Sequence, residues 1–150
     1  MGGDYAPAAI VAGAIDAGAR LDDRISRIIL VGDEVAIKDV MREHTAISPK
    51  IEIHHAAEVV GMAETPAQAI RKKKDSSISR AVDNLKAGES DVVVSAGNTG
   101  AVVVASQLKL RLLEGVLRPG IATILPTSGR PLLLIDAGAT IDCTPQILLQ

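Results

Sequence analysis

At 150 residues the chain has the length of one domain, and 47% of it is apolar although it holds one tyrosine and no phenylalanine or tryptophan. A core made of Ala, Val, Ile and Leu suits helices packed on a parallel sheet. The formal net charge of −2 and the lack of aromatic stacking platforms argue against a nucleic-acid binder, and a single cysteine, Cys143, excludes a disulfide framework and a cysteine-based zinc site.

The chain opens with Met1-Gly2-Gly3-Asp4, glycines and an aspartate of the kind that normally follow a strand. Pro7 suits the first turn of a helix whose apolar face is Ile10, Val11, Ala14 and Ile15, with Gly18 and the charged stretch from Arg20 to Arg24 ending it. Ile28 to Val31 reads as a buried strand closed by Gly32-Asp33. A helix from about Glu34 then places Ile37, Val40, Met41 and His44 on one side. Ile51 to His55 alternates apolar and polar residues, as a partly exposed strand does. His54 and His55 therefore point to opposite faces and cannot serve one metal, and each reads as structural or solvent-facing.

The stretch from Glu58 to Ser77 is broken by Gly61-Met62 and Thr65-Pro66 and then runs into Arg71-Lys72-Lys73-Lys74-Asp75-Ser76-Ser77. Two readings stand side by side. The cations are a solvated, frayed helix end, or cations followed by hydroxyls at the next helix start make an anion-attracting point. That next helix is amphipathic, with Ile78, Ala81, Val82 and Leu85 on one face and Gly88 as its stop.

Asp91-Val92-Val93-Val94 predicts a short strand over 92–95 buried on both faces. It breaks at Ser95-Ala96-Gly97-Asn98-Thr99-Gly100 into a second apolar run long enough for a helix. This stretch also has two readings. It is an ordinary strand-to-helix turn capped by Asn98 or Thr99, or its glycines and helix-start N–H groups cradle an anion, helped by Ser95, Asn98 and Thr99. The spacing matches neither a Walker loop nor G-x-G-x-x-G.

Beyond it, Arg118-Pro119-Gly120 predicts a turn, 121–125 a strand, 126–130 a loop and 132–135 a fully apolar strand ending in Asp136-Ala137-Gly138-Ala139. Thr144-Pro145 opens a last helix. Cys143 reads as a small core residue. The strands at 28–31, 51–55, 92–95, 121–125 and 132–135 are expected in one sheet, with Gly32, Ser95 and Asp136 towards one edge, where open α/β sheets place their ligands. No run of eighteen apolar residues and no signal-peptide pattern is visible, so a cytoplasmic protein is the expectation.

Taken together, Met1-Gly2-Gly3-Asp4-x-Ala6-Pro7, Val31-Gly32-Asp33, Arg71-x-Lys73-Lys74-x-Ser76-Ser77, Ser95-Ala96-Gly97-Asn98-Thr99-Gly100-Ala101, Gly115 with Arg118-Pro119, and Asp136-Ala137-Gly138-Ala139 resemble the bacterial phosphate acyltransferases of the PlsX family over the whole chain. The resemblance implies a three-layer α/β/α fold with a mostly parallel sheet, like phosphotransacetylases and isopropylmalate dehydrogenases. It also implies transfer of a fatty acyl group from acyl carrier protein to inorganic phosphate, giving acyl phosphate for phospholipid synthesis. No cofactor, metal or nucleic acid is called for. A homodimer is implied, together with peripheral association at the inner face of the membrane with a downstream glycerol-phosphate acyltransferase.

Two departures accompany the resemblance. The family's first strand, ordinarily just before Met-Gly-Gly-Asp, and its second glycine-rich loop of Asp-Gly-Phe-Thr-Gly-Asn type are not among these residues, and Thr140 stands where asparagine is usual. The chain is therefore expected to be the N-terminal part of one such domain, with little activity alone.

Phosphate is itself the nucleophile in such a reaction, so no serine or cysteine triad is needed. On the resemblance, Asn98, Lys73 and Asp4 form the catalytic group, Asp4 in an orienting role. Ser95, Gly97, Thr99, Gly100, Lys74, Ser76, Ser77 and Asp136 bind substrate, with Asp136 likewise orienting because a carboxylate facing phosphate is repulsive. Two rival readings are a nucleotide-binding α/β enzyme, which lacks the Gly-Lys-Ser/Thr and the ribose carboxylate it would need, and a phosphate-binding or assembly module without turnover.

Overall fold

Ile28–Gly32 (β1) and Ile51–His55 (β2) pair in parallel, from Ile28 opposite Ile51 to Gly32 opposite His55. A parallel pair needs a crossover, and the helix Glu34–Met41 (α2) supplies it. Asp33 starts that helix by accepting the Ala36 N–H on Oδ1 at 2.8 Å. The computed structural model describes residues 1–21, 23–136 and 144–149, in two compact units, Met1–Leu110 and Arg111–Gln150.

Within the first unit two apolar clusters form. The helix Ala8–Arg20 (α1) presents Val11 and Ile15 at i, i+4 spacing, and these pack with Leu30 of β1 and Ile37 of α2. Each such buried aliphatic side chain is worth about 1.5–3 kcal/mol of transfer free energy. The second cluster joins three helices, Pro66–Lys72 (α3), Ser77–Ala87 (α4) and Thr99–Leu110 (α5), through Val60, Ala69, Ile70, Ile78, Val82, Ala101 and Ala105. Ala101 and Ala105 lie one turn apart on α5, and their small size lets α3 and α4 approach closely. As expected, α4 starts at Ser76, whose Oγ accepts the Ser79 N–H at 3.4 Å, and stops at Gly88 with φ 75°.

The two histidines fall on opposite sides of β2, as alternation requires. His54 Nδ1 pairs with Asn84 Nδ2 of α4 at 3.0 Å, and His55 Nδ1 accepts the Glu34 N–H at 3.3 Å. Among the described residues no His, Cys, Asp or Glu group is arranged to hold a metal, and no helix is long and apolar enough to cross a membrane.

The single sheet is overturned. Residues 92–95 form no strand, and Val92 and Val94 are 71% and 93% exposed. An apolar run becomes a buried strand only beside a partner, and among the described residues β1 pairs with β2 alone. In the second unit, Ala122–Leu125 (β3) and Leu132–Ile135 (β4) pair with each other, antiparallel, from Ala122 opposite Ile135 to Leu125 opposite Leu132. The connection 126–131 is too short for a parallel crossover, so a hairpin is its natural outcome. Leu132 to Ile135 are exposed rather than buried. The last helix, Pro145–Leu148 (α6), begins after Thr144 as expected. Cys143, Ala137, Gly138, Ala139 and Thr140 lie outside the described residues. What stands is an α/β chain with a small parallel sheet flanked by helices.

Candidate functional site

Three glycine-bearing motifs meet beyond the C-terminal ends of β1 and β2, and packing shows why they carry glycine. A Cβ on Gly2 would lie 3.5 Å from the Gly97 Cα and from the Val60 carbonyl oxygen. Gly3 has φ +121°, closed to ordinary side chains, and its Cβ would lie 3.0 Å from the Ala96 carbonyl oxygen. A Cβ on Gly32 would meet the Met1 nitrogen at 2.6 Å. Backbones of 1–3, 32, 60 and 96–97 thus cross in near contact. A cleft of about 150 Å³ beside them is lined by Met1, Pro7, Asp33, Ala36, Ile37 and Val59.

From this crossing α5 sets out, and Asn98 is its N-cap. Asn98 Oδ1 accepts the Ala101 N–H at 3.0 Å. Its Nδ2 donates to the carbonyls of Gly61, Met62 and Glu64 at 3.2, 3.2 and 3.1 Å. The residue is 7% exposed, so its side chain is tied into the protein on both ends and offers no free donor. This corrects the picture of Asn98 as a side-chain donor to substrate. The capped-turn reading holds for its side chain, while the cradle reading keeps the backbone. Among the described residues, the N–H groups of Asn98, Thr99 and Gly100 have no protein acceptor in bonding reach, whereas the Gly97 N–H donates to Ser95 Oγ at 3.2 Å. Ser95 and Thr99 are exposed. Gly100 is fixed by contact, because a Cβ there would lie 2.6 Å from Pro66 Cγ at the start of α3.

Lys73 closes α3 and reaches the same loop. Its Nζ donates to the Val59 carbonyl at 2.7 Å and to Glu64 Oε1 at 2.5 Å. The Glu64 carboxylate also accepts the Gly61 N–H at 2.7 Å. The Lys73 bond first, then the Gly61 N–H, hold Glu64 below the usual carboxylate range. Loop 59–64 therefore brings Lys73 and Asn98 to one place through Glu64.

The other residues expected at the site divide. Lys74 is exposed beside Lys73, and Asp4 is exposed with no ion-pair or hydrogen-bond partner among the described residues. Ser76 and Ser77 are buried. Ser76 Oγ caps its own helix, and the Ser77 N–H donates to the Glu58 carbonyl at 3.1 Å. Their hydroxyls therefore do not join Lys73 and Lys74 on an exposed anion-attracting surface, because both residues are buried at the start of α4. Asp136 belongs to the second unit. It has φ 61°, and its N–H donates to the Ile121 carbonyl at 2.7 Å. Glu64 was not singled out from sequence; its partners are near in space, but nine and thirty-four residues away in the chain, a separation that no local pattern encodes.

Comparison with known proteins gives this arrangement a context. The sequence profile of a family described as fatty acid synthesis protein matches residues 1–150. The chain is 46% identical over 152 residues to a phosphate acyltransferase of Thermosynechococcus vestitus, covering 100% of this chain and 43% of that protein. It is 45% identical to the phosphate acyltransferase of Geobacter sulfurreducens, covering 100% of this chain and 42% of that one. For the Desulforamulus reducens phosphate acyltransferase the identity is 48%, over 100% of this chain and 44% of the relative. The chain thus spans less than half the length of these relatives. With the family profile matching residues 1–150, the chain belongs to the fatty acid synthesis protein family.

Proposed function

We propose that these residues form the phosphate-binding part of an acyltransferase that moves a fatty acyl group from an acyl-carrier-protein thioester to inorganic phosphate. The carrying observation is the start of α5. Three successive N–H groups without acceptors among the described residues, Asn98 to Gly100, lie beside a loop to which the Lys73 ammonium is bonded. Such amides with a nearby cation suit a tetrahedral anion or a developing oxyanion. The name shared by the relatives, phosphate acyltransferase, supports acyl transfer involving phosphate, and the resemblance of the motifs suggests the carrier-protein thioester as donor.

In this reading an oxygen of hydrogenphosphate attacks the thioester carbonyl carbon and the carbonyl oxygen takes up negative charge. The C=O then re-forms as the C–S bond breaks, and the departing thiolate takes the proton that hydrogenphosphate gives up, leaving acyl phosphate and thiol. The N–H groups at the start of α5 stabilise negative charge, each such donor lowering the barrier by about 2.7–4 kcal/mol in comparable sites. Gly97 and Gly100 allow the close backbone approach, while Ser95 and Thr99 add exposed hydroxyls. Lys73 offsets the charge of phosphate and Lys74 steers it from solution. Orienting roles are proposed for Asp4, whose exposed carboxylate can take a partner when substrate is bound, and for Asp136 among the neighbours of its own unit. Asn98 acts by fixing the turn, and Ser76 and Ser77 by fixing the start of α4.

The three-layer α/β/α fold of phosphotransacetylase and isopropylmalate-dehydrogenase type is proposed for the protein in which these 150 residues form the N-terminal part. So are a homodimer, a cytoplasmic location, and peripheral association at the membrane beside a glycerol-phosphate acyltransferase. The test is thiol release from an acyl-carrier-protein thioester by a full-length enzyme carrying these residues. Release that rises and saturates with phosphate is expected; release independent of phosphate contradicts the reading.

A further inference from the structure

Glu64 lies outside every motif that suggests a function, yet it touches both halves of the candidate site. Its side chain accepts from the Lys73 ammonium at 2.5 Å and from the Gly61 N–H at 2.7 Å, and its carbonyl accepts from Asn98 Nδ2 at 3.1 Å. The end of α3 and the N-cap of α5 are thus joined through one residue. Lys73 is held at a second point by the Val59 carbonyl, so its ammonium is fixed rather than swinging on a flexible four-carbon stem. The side chains of Lys73 and Glu64 are 30% and 38% exposed, and an ion pair this wet adds little to stability. A contact that contributes little to folding but ties a cation to the loop that holds the N-cap of α5 suits positioning.

We propose that Glu64 is a positioning residue that holds Lys73 at the start of α5, so that the ammonium and the N–H groups of Asn98, Thr99 and Gly100 meet the same phosphate. The proposal takes its anion from the acyltransferase reading and assigns a role to a residue which that reading leaves out. Gln in place of Glu64 keeps the shape and the acceptor for Gly61 but removes the charge that fixes Lys73.

The experiment uses a full-length enzyme carrying these residues, in four forms: unchanged, Glu64→Gln, Lys73→Gln and both together. Phosphate affinity is measured by calorimetry with inorganic phosphate, and turnover by thiol release. Glu64→Gln is expected to weaken phosphate binding and raise its KM about tenfold, the worth of one charge-assisted bond, with kcat little changed. The double variant is expected to match Lys73→Gln alone, since Glu64 acts through Lys73. Multiplying effects in the double variant, or a Glu64→Gln change confined to melting temperature, overturns the proposal. Phosphate binding that responds to Glu64→Gln without any turnover contradicts the acyltransferase reading and supports the positioning role. Turnover with a phosphate affinity indifferent to Glu64→Gln does the reverse, and absence of phosphate binding in all four forms contradicts both.

Discussion

Asn98 commits its whole side chain to the protein, with Oδ1 on the Ala101 N–H and Nδ2 shared among three carbonyls of the loop before α3. Asn98→Ala removes a cap and strips those carbonyls of a donor, so a loss of about 1–3 kcal/mol is expected in urea unfolding. A variant as stable as the original would mean that the loop does not depend on Asn98. The cap was legible in sequence, because asparagine before a helical run is a start signal. The loop tie was not, since its carbonyls lie 34 to 37 residues earlier.

Acid sensitivity belongs to the same scale. Lys73 and the Gly61 N–H hold Glu64 low, and the Ala57 N–H followed by Arg80 hold Asp75 low. A carboxylate with a depressed folded pKa adds stability that is fully present above its unfolded pKa, about 4. That stability is lost as pH falls through the lower, folded value. Melting temperature is therefore expected to fall with pH below about 4, and to fall less steeply in Glu64→Gln and Asp75→Asn. Parallel pH curves for the variants and the unchanged protein would contradict this.

Among the elements, the join of α3 and α5 is the tightest point of the site. Gly100 has no room for a methyl group, because Pro66 Cγ would lie 2.6 Å away, with Pro66 Cβ at 3.3 Å. Gly100→Ala is expected to cost about 1–3 kcal/mol through overpacking, and Pro66→Ala in the same chain to recover part of it. Thermal melts of the two single variants and the double decide it, and strictly additive losses would show that the two residues do not meet. In sequence Gly100 reads as a flexible turn or anion-cradle glycine; its steric reason comes from a proline 34 positions away. The helices were the most legible elements, α4 above all, with both ends marked by Ser76 and Gly88. The strands were less so. Apolar runs gave the positions of β1 to β4, but pairing direction follows connection length. The short link 126–131 outweighs the apolar character of β3 and β4 and makes them a hairpin. Val92 to Val94 has strand composition without a described partner, and composition cannot supply one.

At the scale of the molecule, the two units differ in how they bury apolar surface. In the first, Val11, Leu30, Ile37, Val60 and Val82 are buried. In the second, Ile124 and Leu132 to Ile135 are exposed on the hairpin. Amide hydrogen exchange is therefore expected to be slowest in β1, β2 and α4 and at least tenfold faster in β3, β4 and at Val92 to Val94, because local opening follows the burial it must undo. Equal protection across both hairpin strands and β1 would contradict that ranking.

The same first unit carries the functional claim, since the crossing glycines, the start of α5 and Lys73 all belong to it. Trapping the product tests this most directly. A full-length enzyme carrying these residues is given an acyl-carrier-protein thioester with phosphate, and acyl phosphate is trapped with hydroxylamine while thiol is counted. The account predicts one acyl phosphate per thiol released, with no release when phosphate is omitted and a phosphate requirement that rises in Lys73→Gln. Free fatty acid in place of acyl phosphate, formed equally well without phosphate, would contradict it.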